Sequence, residues 1–345
     1  MKNWFARLFG ASPRVQPALD APAEAAPAPA AAPEEAPAGH PSSKAAVDAA
    51  FLRWLANNIA DAPPAIERLL LDELARLAAD PPRAAGLVPR VPAVIPELLR
   101  SLRDDSVSGA DLSRLVAQDV VLVAEVVREA NSPYYRPPTP VRNIEGAVLL
   151  LGRNGLRMLL ARVAFRPVIG MQSGRLAKLA APRIWLQSEK CALACATLAP
   201  QAGVNPFEAY LAGLIQNVGL IVAFRLIDQV IDADMLPRSD AFCAALGVQA
   251  RRLAHGIALE WAFPPAVAVA IAAAGEPDAG EPGVEELDPD ADDGALAGVL
   301  RNADLLATLR LLADAGALSP DDPLAAAHLT PRLRACFDLL HSPDA

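Results

Sequence analysis

The residue types that carry most protein chemistry are sparse in this chain and poorly spaced for it. The four cysteines, Cys191, Cys195, Cys243 and Cys336, form no C-x-x-C pair. Cys191 and Cys195 lie four apart in a helical pattern and share a face, as buried small apolar residues do in a reducing cytoplasm. The four histidines, His40, His255, His328 and His341, have no cysteine or second imidazole at zinc-ligand spacing. His255 reads as a surface or internally satisfied histidine. No Ser-His-Asp order, Walker loop or G-x-G-x-x-G is present. Asp288-x-Asp290-x-Asp292-Asp293-Gly294 opens like a calcium loop. Its glycine comes one position late, however, and Val299 stands where the bidentate Glu belongs. One polar feature does sit in an apolar setting. Gln216 and Asn217 interrupt the run Ala209–Phe224, read here as one core helix too short to span a bilayer. Buried amides need hydrogen-bond partners, because an orphaned one costs about 1–3 kcal/mol.

The elements that must position these residues follow from composition. The chain has 345 residues, 53% hydrophobic but only 5% aromatic, so its core is built from Leu, Val, Ile and Ala. Ala and Leu are the strongest helix formers. Net charge is −9, which argues against general binding to nucleic acid. The acidity is local: nine acidic and no basic residues fall between Glu276 and Gly294, and the rest of the chain is balanced.

Residues 1–45 combine a short amphipathic N-terminus (Trp4, Phe5, Leu8, Phe9) with an Ala/Pro-rich stretch. The latter cannot bury enough apolar area to order itself. Residues 1–10 lack the apolar core of a signal peptide and are a candidate for weak membrane contact, without integral insertion. Two amphipathic patterns over 46–85 are split by Pro63-Pro64 and closed by Pro81-Pro82. Helical patterns then cover Val91–Leu102, Gly109–Gln118, Val120–Ala130, Asn143–Leu151, Gly155–Phe165, Pro182–Leu198, Pro206–Leu226, Asp240–Ala262 and Pro265–Ala274. Further helices follow the acidic loop over 295–345. No segment alternates with strand period, so an all-α fold is expected.

Several stretches, taken in order, resemble the HDOD family, the HD-related output domain of bacterial signalling proteins. They begin with Pro89-Arg90-Val91-Pro92 and Leu112-x-x-Leu115-Val116-x-x-Asp119. Ala130-Asn131-Ser132-Pro133-Tyr134-Tyr135 is the most recognisable. Val141-x-x-Ile144-x-x-Ala147-Val148 leads to Gly152. Trp185-x-x-Ser188, Glu208-Ala209-x-Leu211-Ala212-Gly213-Leu214-Ile215 with Gly219 beyond, and Trp261-x-x-Pro264 complete the set. The match covers roughly 87–275 and implies a multi-helix HD-like domain. Each piece also has a plain physical reading: Asn131 tolerates a left-handed helix end, Pro133 extends Ser132, Tyr134 anchors a loop through its ring and hydroxyl, and Gly152 closes a helix. The signature is thus expected to be structural.

HD-type phosphohydrolases hold divalent metal with histidines and aspartates, and the metal activates water. The resemblance sets the upstream histidine at Gln187, the His-Asp pair at Gln216-Asn217 and the last aspartate at Asp304. Only the carboxylate remains, and amides are poor ligands beside imidazole. The resemblance therefore implies no catalytic residues, no metal and no cofactor. It implies a cytoplasmic signal-transduction module whose partners are signalling or regulatory proteins. Two alternatives remain: a pseudoenzyme holding a nucleotide or other small ligand in the degenerate pocket, and a cryptic metal-dependent phosphohydrolase using Asp304 with acids of the loop over 276–293.

Overall fold

The computed structural model describes residues 44–56, 59–88, 109–117, 120–132, 137–170, 173–231, 235–274, 294–319 and 322–341. The tail over 1–43, the helix expected over 91–102, Tyr134 and the acidic stretch 276–293 lie outside the described residues. The fold is all-α, as the composition predicts. α1 (Lys44–Leu55), α2 (Pro64–Ala78) and α3 (Pro81–Gly86) come first, then α4 (Gly109–Val116), α5 (Val120–Ala130) and α6 (Ile144–Gly170). α7 (Arg175–Leu198), α8 (Pro206–Ile215), α9 (Val218–Val230), α10 (Asp240–Glu260) and α11 (Pro265–Ala273) follow. α12 (Ala295–Asp314), α13 (Pro323–Ala326) and α14 (Pro331–Leu339) end the chain.

Proline writes many of these boundaries. Pro64, Pro81, Pro206, Pro265, Pro323 and Pro331 each open a helix. At that position φ is already helical and the missing N–H would have had no intrahelical partner. Pro81 thus starts α3, where the sequence suggested only a stop. Side-chain caps do the same work: the Asn205 carbonyl accepts from the Phe207 N–H at 2.9 Å and the Ser239 hydroxyl from Phe242 at 3.0 Å.

Four details differ from the sequence reading. Pro182 lies inside α7, which begins at Arg175; packing on several neighbours compensates for the lost backbone bond. Gly152, with φ 66°, ends the first arm of α6 as expected, but the second arm follows it directly and runs on to Gly170, beyond the Gly155–Phe165 of the sequence pattern. Such a backbone is readily adopted only by glycine. Ala60–Asp61 (β1) and Met235–Leu236 (β2) pair in parallel, Ala60 opposite Met235, too short a ladder to leave an alternating signature. Finally, the run Ala209–Phe224 is two helices, α8 and α9, with Gln216 and Asn217 at the break. By length and composition Pro206–Val230 is apolar enough to cross a bilayer, more than the sequence reading allowed, yet 94% of its most apolar window is buried inside the chain. Both helices belong to the core.

α7 is the central rod, packed against α8, α12, α9 and α6; α10 lies across α9, α2, α3 and α1. Two glycines permit the closest approaches. A Cβ on Gly213 of α8 would lie 2.7 Å from the Ala192 nitrogen of α7, and one on Gly219 of α9 would lie 1.9 Å from the Ala250 carbonyl oxygen of α10. The α8–α9 break is thereby held between α7 and α10, next to α12.

Candidate functional site

The structure brings Gln187, Gln216, Asn217 and Asp304 together. α7 supplies Gln187, the α8–α9 break supplies Gln216 and Asn217, and α12 supplies Asp304. All four are buried. Asp304 is the hub. Its Oδ1 accepts from Gln187 Nε2 at 2.7 Å and from Gln216 Nε2 at 2.8 Å. Gln187 also donates to the Thr308 hydroxyl at 3.2 Å. Asn217 Nδ2 donates to the Gln187 side-chain Oε1 and, at 3.2 Å, to the Ser188 hydroxyl.

Two further residues complete the cluster, and the sequence reading missed both. Arg251 of α10 donates from Nη2 to Asp304 Oδ2 at 2.6 Å and from Nη1 to the Gln216 side-chain Oε1. Lys44, at the start of α1, lies 3.3 Å from the same Oδ2 and 2.7 Å from Asp48. The faint signal for Arg251 was a charge in the middle of an apolar helical pattern, at Ala250-Arg251-Arg252-Leu253. Nothing local marked Lys44.

Burial alone pushes the Asp304 carboxyl up, but Arg251, Lys44 and the Gln187 amide outweigh it and hold it down to about 2. Burial lowers the Lys44 ammonium, and the charges of Asp48 and Asp304 more than reverse that, so its pKa is raised. Cys191, which accepts from Gln216 Nε2 at 3.0 Å, is pushed well up by burial, and so is kept as the inert thiol. The donor set does not fit a divalent metal. It offers one carboxylate with a guanidinium and an ammonium already on it, and amides that turn their N–H groups toward it. Among the described residues, no three His, Cys, Asp or Glu side chains form a metal-ligand group.

Several of the described signature residues make packing and backbone contacts. Asn131 is not left-handed, contrary to expectation; among the described non-glycine residues only Ala262 has positive φ. Asn131 acts through its side chain, which donates to the carbonyls of Val127 and Val141, each at 2.7 Å, and accepts from the Val141 N–H at 2.8 Å. It ties the end of α5 to the approach to α6. Ser132 follows it, with its hydroxyl oxygen buried and unpartnered. Trp185 is buried on α7. Trp261 stacks on Phe165 with centroids 6.1 Å apart. His255 Nδ1 lies 2.9 Å from the Ala268 carbonyl oxygen, which makes it an internally satisfied histidine.

An all-α bundle with a polar cluster at the meeting of α7, α8, α9 and α12 defines an HD-like helical domain. The HDOD domain family model matches residues 88–277, more than half of the chain. The chain belongs to the HDOD family. An HDOD domain protein of unknown function from Geobacter sulfurreducens is similar at TM-score 0.53 and 22% identity, over 79% of this chain and 99% of that one. A Shewanella amazonensis SB2B protein, named a candidate phosphohydrolase, is similar at TM-score 0.53 and 24% identity, over 75% of this chain and 92% of that one. An uncharacterised protein of Treponema pallidum (strain Nichols) is 26% identical over 137 residues, 39% of this chain. The match spans only about a quarter of that relative, 26% of its length.

Proposed function

We propose that this protein is a non-catalytic signal-transduction module of HD ancestry that acts by binding signalling or regulatory proteins in the bacterial cytoplasm. The observation that carries this reading is the donor set around Asp304. Metal-dependent hydrolysis needs an open coordination position and a metal-activated water. Here the one carboxylate is occupied by Gln187, Gln216, Arg251 and Lys44. The same saturation speaks against a nucleotide pocket, because the amides that would read a base are engaged with Asp304 and with one another. The four buried free thiols accord with a reducing compartment.

The test is hydrolysis of model phosphodiesters and of cyclic dinucleotides by the full chain with manganese present. Background rates are expected. Turnover that Asp304→Ala abolishes would overturn the reading in favour of a hydrolase. Recovery of a defined regulator, cyclase or kinase bound to the full chain in its native host, with the complex reconstituted from purified components, would support it.

A further inference from the structure

We propose that Arg251 is the protein's own replacement for the divalent cation of an HD-type centre, and that with Lys44 it makes the site a clasp closing both flanks of the HDOD domain onto its middle. The proposal concerns the same site as the reading above, yet it stands or falls on different measurements.

The Asp304 carboxylate has about four acceptor directions, and four donors are within reach. Gln187 and Gln216 are on Oδ1, and Arg251 and Lys44 are on Oδ2. The guanidinium also bonds the Gln216 side-chain Oε1, so it bridges a carboxylate and a neighbouring polar group as a bound cation would. The side chains of Arg251 and Asp304 are 14% and 6% exposed, so this charge pair is buried rather than a surface contact. A planar, permanently charged fork suits such a place better than an ammonium.

The chain positions matter as much as the chemistry. Gln187, Gln216 and Arg251 lie within the family-matched residues 88–277, whereas Lys44 precedes them and Asp304 follows them. The clasp therefore joins α1 and α12, which flank the domain in sequence, to α7, α8 and α10 within it.

The experiment is a double-mutant cycle on Arg251→Met and Asp304→Asn in the full chain, read by thermal unfolding. Methionine keeps most of the arginine stem's bulk and removes the charge. Each single change is expected to lower Tm by roughly 5–10 °C, since removing one partner strands the other's buried charge. The double variant should lose clearly less than the two singles combined. Additive losses, or an Arg251→Met protein as stable as the parent, would overturn the proposal. Should Arg251→Met fail to fold, the parent and Asp304→Asn decide. Millimolar manganese chloride should leave both melting temperatures unmoved, and a rise in the parent that Asp304→Asn abolishes would show that Asp304 takes metal despite Arg251. Phosphodiesterase turnover would refute the functional reading, whereas an additive cycle refutes the clasp alone.

Discussion

Arg251 on α10 and Asp304 on α12 meet at 2.6 Å inside the bundle, 53 residues apart in sequence. Neither charge would be tolerable there alone, because an unpaired buried ion costs several kcal/mol. Each is fixed by a neighbour with its own reason to be present. Gly219 lets α9 lie on the α10 backbone beside Arg251, and Gln187 and Gln216 hold the other face of the Asp304 carboxylate.

This pairing makes stability pH-dependent in a definite direction. The folded Asp304 carboxyl sits at about 2, below its unfolded value near 3.9. Its contribution is fully present above about pH 4 and is lost as pH falls from there through about 2, amounting to roughly 2–3 kcal/mol. Thermal melts of the parent and Asp304→Asn between neutral pH and pH 2 check this. Asp304→Asn should be the less stable protein at neutral pH and should show a shallower loss below pH 4. Parallel curves would mean that Asp304 does not govern the acid limb.

Asn217→Leu removes the donor to both Gln187 and Ser188. The Gln187 side-chain Oε1 is then buried without that partner. A loss of about 1–3 kcal/mol is expected in urea unfolding. A change under about 0.5 kcal/mol, as at a surface site, would show that the amide network carries little stability.

Gly219→Ala tests the helix contact that seats the cluster. A methyl group there meets backbone, the Ala250 carbonyl oxygen at 1.9 Å and the Ala254 nitrogen at 2.6 Å, so no side chain can yield to it. α9 and α10 must separate. A loss above about 3 kcal/mol is expected, at the severe end for a single substitution, whereas Gly247→Ala, inside α10 with nothing within 4 Å of its Cβ, should gain up to about 1 kcal/mol from helix propensity.

Sequence periodicity carried most of the helices because spacings of three and four survive whatever a helix packs against. It failed where tertiary contact overrides a local rule. Pro182 read as a start, but α7 continues through it because neighbours on several sides hold the rod. The run around Gln216 read as one helix, since an amide pair carries no break signal of its own. Gln216 and Asn217 stood out as amides in an apolar run, but their gathering with Gln187 and Asp304 was legible only through a family resemblance that aligned distant positions. Arg251 and Lys44 were not, because no motif ties a lysine at 44 to an aspartate 260 residues later. A buried charge pair is a property of the folded neighbourhood, and each half alone looks like an ordinary solvated side chain.

Ala262 ends α10 with φ 54°. The turn is closed by bonds from Ala262 to the Leu259 carbonyl at 2.9 Å and from Phe263 to the Ala258 carbonyl at 3.0 Å. An L-residue with a side chain carries about 1–2 kcal/mol of strain in that conformation, which glycine does not. Ala262→Gly is therefore expected to stabilise the protein by up to about 1 kcal/mol, some of the gain being offset by the freer unfolded chain. Equilibrium unfolding in urea measures it, and a destabilised variant would show that the turn is not strained.

Restoring a metal centre takes more than replacing the missing ligands. From the sequence alone, Gln187→His, Gln216→His and Asn217→Asp together supply the missing imidazoles and carboxylate, and metal binding is expected to follow. The structure changes that expectation. Arg251 keeps its guanidinium on Asp304 at 2.6 Å in the triple variant, and a divalent ion would have to enter against that charge and against Lys44 at 3.3 Å. At such separations the repulsion is several kcal/mol even at an effective dielectric near 20. The triple variant is thus expected to fold and to show no saturable manganese binding by titration calorimetry. Adding Arg251→Ala removes the nearer cation and leaves a hole of guanidinium size beside two carboxylates and two imidazoles, a donor set suited to manganese or zinc. The quadruple variant should bind one ion per chain. Circular dichroism on both proteins separates failure to bind from failure to fold. A triple variant that binds as tightly as the quadruple would show that Arg251 yields to metal, and its charge would then not be what closes the site.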